Sequence, residues 1–209
     1  MGRPSTKQKR TQEILDAYEL CIAKFGVEGT TLEILAKEAG LARALIRHHV
    51  GNRDNLLEAF QERFFTRSAE VMKDMVEALP VSKSFRSSDT ELPERLDQLV
   101  TWLFSPDHSD SMLILVVNAL ISVAPKYANL SKSLAEWVEN FENLLEAELT
   151  QAFPDCEAQK RSIIATGLLG IYFNADSLSL LSHLRSTFQK DCEASARLLL
   201  GQLQDHHGD

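Results

Sequence analysis

Glycine and proline are scarce in this chain. Nine and six in 209 residues fall below the usual shares of roughly 7% and 5%. Strands joined by tight turns need these residues, so an all-β sandwich is disfavoured, and no internal repeat suggests a solenoid. Cysteines are few and odd in number. Cys21, Cys156 and Cys192 share no metal-ligand spacing and suit reduced thiols in a reducing compartment. No stretch reaches the roughly 18 uninterrupted apolar residues of a membrane span. The longest apolar run, Met112 to Ala124, is broken by Asn118 and Ser122. Basic residues near the start are followed by no apolar segment, so no secretory signal is expected. No G-x-S-x-G, H-E-x-x-H or phosphate-cradling glycine loop occurs, which argues against an enzyme and implies no cofactor. Asp107, His108 and Asp110 cluster, but directly after Pro106 they suit a helix start. The expectation is a cytoplasmic, soluble, all-α protein.

What is present is ordinary globular material, 44% hydrophobic and 25% charged, with an uneven charge distribution. The net charge of -8 taken alone argues against nucleic acid. Residues 1–53, however, hold nine Lys or Arg against six acids, and the remainder holds thirteen against twenty-four. A basic head on an acidic body approaches a polyanion in one orientation, because the body is repelled.

Ile14, Leu15, Tyr18, Cys21, Ile22 and Phe25 recur at three- and four-residue steps, giving a helix over about 7–25 with Gly26 as its stop. Thr30 followed by Glu33 reads as a capping box for a short helix over 31–38, closed by Gly40. A third short helix over 42–49 breaks at Gly51-Asn52. Two short helices joined by a glycine-containing turn are the helix-turn-helix signature. Longer helices are expected over 53–79, 92–105, 109–124, 128–152, 157–182 and 185–204, about nine in all, with a Ser-rich loop over 81–91.

On the third helix Leu41, Ile46 and Val50 fall inward, leaving Arg43, Leu45, Arg47 and His48 outward. Arginine offers a bidentate fork to guanine O6 and N7, and Leu45 suits a thymine methyl. Thr30 or Thr31 opens a helix whose free N–H groups favour a phosphate, and Arg53 is placed to clamp a second. Lys7, Lys9 and Arg10 form a flexible basic arm suited to backbone or minor-groove contacts. The pair His48-His49 does not indicate metal, because adjacent helical residues diverge and no third ligand is near. His206-His207 suits a loose tail.

Residues 30–57, TTLEILAKEAGLARALIRHHVGNRDNLL, resemble the amino-terminal DNA-binding domain of the TetR family of transcriptional regulators. Ala36, Ala39, Gly40, Leu41, Ile46, His48, His49, Gly51, Asn52, Arg53, Asp54 and Leu56 carry the likeness. Leu45, Arg47 and Val50 stand where the family often has Thr, Tyr and Phe, so an operator sequence does not transfer. The resemblance implies a helix-turn-helix domain over 1–52 and an effector-binding and dimerisation domain over 53–209. It implies DNA-contacting roles across the helix-turn-helix, from Thr30 and Thr31 through Arg43, Leu45, Arg47, His48 and His49 to Arg53. It further implies a homodimer, double-stranded DNA with a palindromic operator, a small-molecule effector, and most often repression.

In the body, Gly167 and Gly170 permit close helix approach. With Phe188, Cys192, Leu199 and Leu203 they suggest a two-helix contribution to a four-helix dimer interface, the alternative being closure of the monomer's own core. Trp102, Asn118, Trp137, Phe141, Asn174 and Asp176 are the candidate effector contacts, apolar surface with a few polar groups. Asn118, Asn174 and Asp176 each have a core or interface hydrogen bond as an alternative use. The rival functional reading is a helical adaptor or small-molecule-binding protein without DNA binding, motivated by Leu45 and the acidic net charge.

Overall fold

The computed structural model describes residues 6–80 and 92–204. The expected loop over 81–91 and the tail histidines lie outside them. Nine α-helices and two 3-10 turns account for most of the described residues, which contain no strand. The helices are α1 (Thr6–Gly29), α2 (Leu32–Glu38), α3 (Arg43–Val50), α4 (Arg53–Ala78), α5 (Glu94–Phe104), α6 (Ser111–Val123), α7 (Ala128–Ala152), α8 (Ala158–Ser179) and α9 (Phe188–Gly201).

Most of these spans follow the sequence periodicity within one or two residues, and the differences have local causes. Gly26 does not end α1 but kinks it, at φ 70° and ψ 171°, so that the chain resumes a helical turn to Gly29. Lys7, Lys9 and Arg10 lie inside α1 rather than on an arm before it. Residues 180–187 are turns, where helix was expected to reach 182 and resume at 185. There the Arg185 guanidinium and the Thr187 hydroxyl both donate to the Asp191 carboxylate, at 2.9 and 3.0 Å, and gather the entry to α9. Those two hydrogen bonds, followed by the Arg185 charge, also hold the Asp191 carboxyl below the usual range. Asp110 is the N-cap of α6, accepting from the Met112 and Leu113 amides, which accounts for the acidic cluster after Pro106.

Contacts divide the chain into two compact units. One comprises the residues up to Glu70 with Asp110–Glu136, and the other Val71–Ser109 with the residues from Trp137 onward. The residues 53–70 of α4, and α6, belong with the helix-turn-helix. In the first unit Ile14, Tyr18 and Ile22 of α1, Leu35, Ile46, and Leu56, Phe60 and Phe64 of α4 are fully or almost fully buried. Tyr18 meets Phe60 edge to face at 5.4 Å. Burial of each such ring or branched chain is worth about 1.5–3 kcal/mol before entropy is counted. Arg63 bonds to Gln12 and Glu19, and Arg67 also pairs with Glu19, fastening α4 along α1. In the second unit α5, α7, α8 and α9 enclose an apolar core containing Leu99, Leu149, Ala165, Ala196 and Leu200.

Candidate nucleic-acid interface

The outward face of α3 is built from below. Ile46 is wholly buried and Val50 nearly so, and these two side chains set the rotation of the helix. That rotation leaves Arg43, Ala44, Leu45, Arg47 and His48 exposed. Ala44 is an outward position that the sequence reading did not single out, because a small neutral side chain carries no chemical signal. Neither Arg43 nor Arg47 makes a hydrogen bond or ion pair among the described residues, so both guanidinium forks are available. His49 is turned partly inward. It is half-buried, its Nδ1 has no hydrogen-bond partner in the protein, and its ring meets His48 edge to face at 5.3 Å.

Tight turns hold α3 on both sides. At the end of α2, Gly40 takes φ 63°, and the Leu41 amide reaches back to the Ala36 carbonyl at 2.9 Å. This is the six-to-one bond of a Schellman motif, which glycine accommodates in the left-handed region. After α3, Gly51 takes φ 76°, and a Cβ there would come within 2.7 Å of Asn55 Oδ1. That oxygen is already committed. Asn52 and Asn55 cap each other reciprocally, amide to side-chain oxygen, at 3.2 and 2.9 Å, so α4 begins rigidly two residues beyond the turn.

Several expected contact residues are placed differently from the sequence reading. Thr31, not Thr30, is the N-cap of α2, its hydroxyl accepting from the Ile34 amide at 3.2 Å. Counting from Thr31 puts Ile34 rather than Glu33 at the third helical position, so no Thr30–Glu33 capping box forms. Thr30 is 2% exposed and its hydroxyl donates to the Gly26 carbonyl at 2.8 Å; it stabilises the α1 kink and offers no side chain to a phosphate. Arg53 is half-buried and donates to the Val27 carbonyl at 2.8 Å. Its fork is therefore partly spent inside the unit. Lys7 and Lys9 are exposed on the first turns of α1, whereas Arg10 pairs with Glu13 at 2.7 Å.

An exposed arginine-bearing helix, seated by two apolar residues and framed by two glycine turns, matches major-groove reading geometry. Residues 14–60 match the profile described as bacterial regulatory proteins, tetR family. Over those residues the chain is similar to the TetR family. Among its relatives is the HTH-type transcriptional repressor AcnR of Corynebacterium glutamicum, 38% identical over 63 residues, 30% of this chain and 34% of that protein. The HTH-type transcriptional regulator BetI of Serratia proteamaculans is 24% identical over 187 residues, 90% of this chain and 87% of that one. The matches to AcnR proteins of two Corynebacterium species thus span about a third to a half of those relatives. A TetR transcription regulator from Haloarcula marismortui shares the fold at TM-score 0.70 and 19% identity, covering 93% of this chain and 97% of that one. A TetR family regulator from Cytophaga hutchinsonii does so at 0.72 and 14%, covering 99% and 100%.

The candidate effector residues do not form one set. Trp137 and Phe141 are buried in the second unit, against Phe173 and, for Phe141, Tyr172, with ring centroids 5.4–6.1 Å apart. Trp102 is half-buried and stacks on His108 at 4.8 Å. Asp176 is half-buried and accepts from the Ser109 hydroxyl at 3.5 Å. Burial, followed by the nearby Asp176 charge, pushes the Tyr172 hydroxyl well above its ordinary pKa. Asn174 is exposed on α8 and faces solvent in the single chain rather than a cavity. Asn118 belongs to the first unit, half-buried on α6. The inferred dimer seam also divides. Phe188, Cys192, Leu199 and Leu203 pack into the chain's own core, and a Cβ at Gly167 would approach Leu199 Cδ2 to 2.7 Å. The outward residues are Ile163 and Leu198, 63% and 74% exposed, and Gly170, which has open space before it. No described helix is long and apolar enough to cross a membrane.

Proposed function

We propose that the protein is a sequence-specific DNA-binding transcriptional regulator, a homodimeric repressor whose operator affinity a small molecule controls. The observation that carries this reading is the pair of free guanidinium forks, Arg43 and Arg47, on the exposed face of α3. Similarity to the TetR family over residues 14–60 supports the same reading, as do the roles of the similar proteins as repressor and regulator. The exposed Ile163, Gly170 and Leu198 supply apolar and small surface on α8 and α9 for a second copy. Two such copies would present their reading helices to successive major grooves about 34–36 Å apart on a palindromic site. The buried aromatic cluster around Trp137 and Phe141, edged by Asp176, is where an apolar effector with one polar group would lodge.

Selection from random duplexes tests the reading, with enrichment of a two-fold symmetric motif as the expected result. Alanine at Arg43 or Arg47 should then relax preference at one base position by about 1–3 kcal/mol, the worth of a bidentate contact. Alanine at Arg53 should weaken all duplexes alike and also lower folding stability by about 1 kcal/mol, since it removes the bond to Val27. No enriched motif, or unchanged preference in both reading-face variants, would overturn the proposal.

A further inference from the structure

The first unit contains a cleft of about 320 Å3 between α4 and the start of α7. On one wall stand Asp54, Leu57, Glu58 and Gln61, spaced by three and four residues so that all share one face of α4. Opposite them are Lys126, Tyr127 and the first residues of α7, including Asn129 and Leu130.

One wall is acidic and the other faces it with the positive end of a helix. The Asp54 and Glu58 carboxylates are exposed and make no hydrogen bond or ion pair among the described residues. Across the cleft Lys126 is held by Glu28 at 2.7 Å, beside the positive end of a 25-residue helix. The first amide of that end with a backbone partner is Ser131, bonded to the Tyr127 carbonyl at 2.9 Å. The Asn129 and Leu130 amides precede it and have no acceptor within the helix. No acidic side chain occupies the first turn.

A further observation, independent of the charges, points to an occupant. Gln61 lines the cleft and is only 8% exposed, yet its side-chain amide bonds to nothing among the described residues. The amide therefore opens on the cleft, where a polar group of an occupant can bond to it. The wholly buried Tyr18 hydroxyl is likewise without a partner, and it interacts electrostatically with Arg53, Tyr127 and Asp54.

We infer that this cleft binds a small zwitterion of the aliphatic amino-acid type. Its ammonium lies against Asp54 and Glu58, its carboxylate at the start of α7, and the Gln61 amide bonds between them. A simple cation would leave the helix's positive end without a counter-charge, and a simple anion would meet two carboxylates. Only a molecule with both charges complements both walls. Because α4 starts two residues after the Gly51 turn that closes α3, an occupant here touches the helix that follows the reading helix.

Titration calorimetry of the full chain with glycine, 4-aminobutyrate and 6-aminohexanoate tests the inference, with butylamine and butyrate as single-charge counterparts. At least one amino acid should bind about tenfold more tightly than either counterpart. The double variant Asp54→Asn/Glu58→Gln, and Gln61→Leu separately, should each weaken that binding about tenfold, whereas Glu94→Gln on α5 should not. In the unsubstituted chain the bound molecule should shift the Asn129 and Leu130 amide resonances, a readout that does not depend on any variant folding. The inference is overturned if no amino acid binds below about 10 mM. Equal binding of butylamine or butyrate, or amide shifts confined to other residues, would overturn it as well.

Discussion

Removing either partner of the Arg95–Glu148 pair should destabilise the protein, and the two removals should differ in size. Glu148 is 5% exposed and accepts from Arg95 Nε at 2.6 Å and from a terminal nitrogen at 2.8 Å. Arg95, 14% exposed, also donates to the Val76, Leu79 and Pro80 carbonyls at 3.0–3.2 Å, closing the carboxyl end of α4. Its guanidinium is held above the usual range chiefly by the Glu148 hydrogen bond. In Glu148→Ala the cation keeps three carbonyl acceptors, so the loss should be about 3 kcal/mol, the lower end for breaking a buried pair. In Arg95→Ala a buried carboxylate has no partner left among the described residues and three carbonyls lose a donor. That loss should approach about 5 kcal/mol. At about 2–4 °C per kcal/mol for a chain of this length, the falls in Tm are roughly 6–12 and 10–20 °C. Thermal unfolding followed by circular dichroism measures both. The apolar double variant Arg95→Met/Glu148→Leu should recover much of the loss, because it strands no charge. Equal small losses of under about 1 kcal/mol, or a larger loss for Glu148→Ala, would refute the reasoning.

Gly167→Ala should land within about 1 kcal/mol of the parent, since its Cβ meets only the tip of Leu199 and alanine regains about that much helix propensity. Gly167→Leu should cost about 1–3 kcal/mol by overpacking α8 against α9, and unfolding in urea separates the two. Cys21, Cys156 and Cys192 are all buried, and burial raises the thiol pKa of Cys21 and Cys192. A raised pKa means less thiolate at neutral pH and more as pH climbs, so iodoacetamide should label none of the three promptly in the native protein at pH 7. All three should label in denaturant; prompt native labelling of Cys21 would contradict its burial.

Much of this architecture is legible in the sequence because helices announce themselves locally. The three- and four-residue recurrence from Ile14 to Phe25, Pro106 and Pro125 as breaks, and Gly40 and Gly51 as turns depend on nearest neighbours along the chain. The inward setting of Ile46 and Val50, and so the outward setting of Arg43 and Arg47, follows from the same periodicity. The Thr31 cap lay one residue from the expected one because either threonine satisfies the local pattern. Which of them is buried depends on where the kinked end of α1 places the Gly26 carbonyl.

By itself, then, the order of residues determined most helical spans among the described residues, the basic head and the outward face of its arginine-bearing third helix, since all are properties of contiguous chain. Tertiary structure alone decided how long side chains are spent: Arg53 on Val27, Arg95 on Glu148, Leu199 against Gly167. It also gathered Asp54, Glu58 and Gln61 opposite Lys126 and Tyr127, residues some seventy positions apart in the chain. Periodicity gives the face a residue occupies, but not the distant group it meets there, because that depends on how separate helices pack.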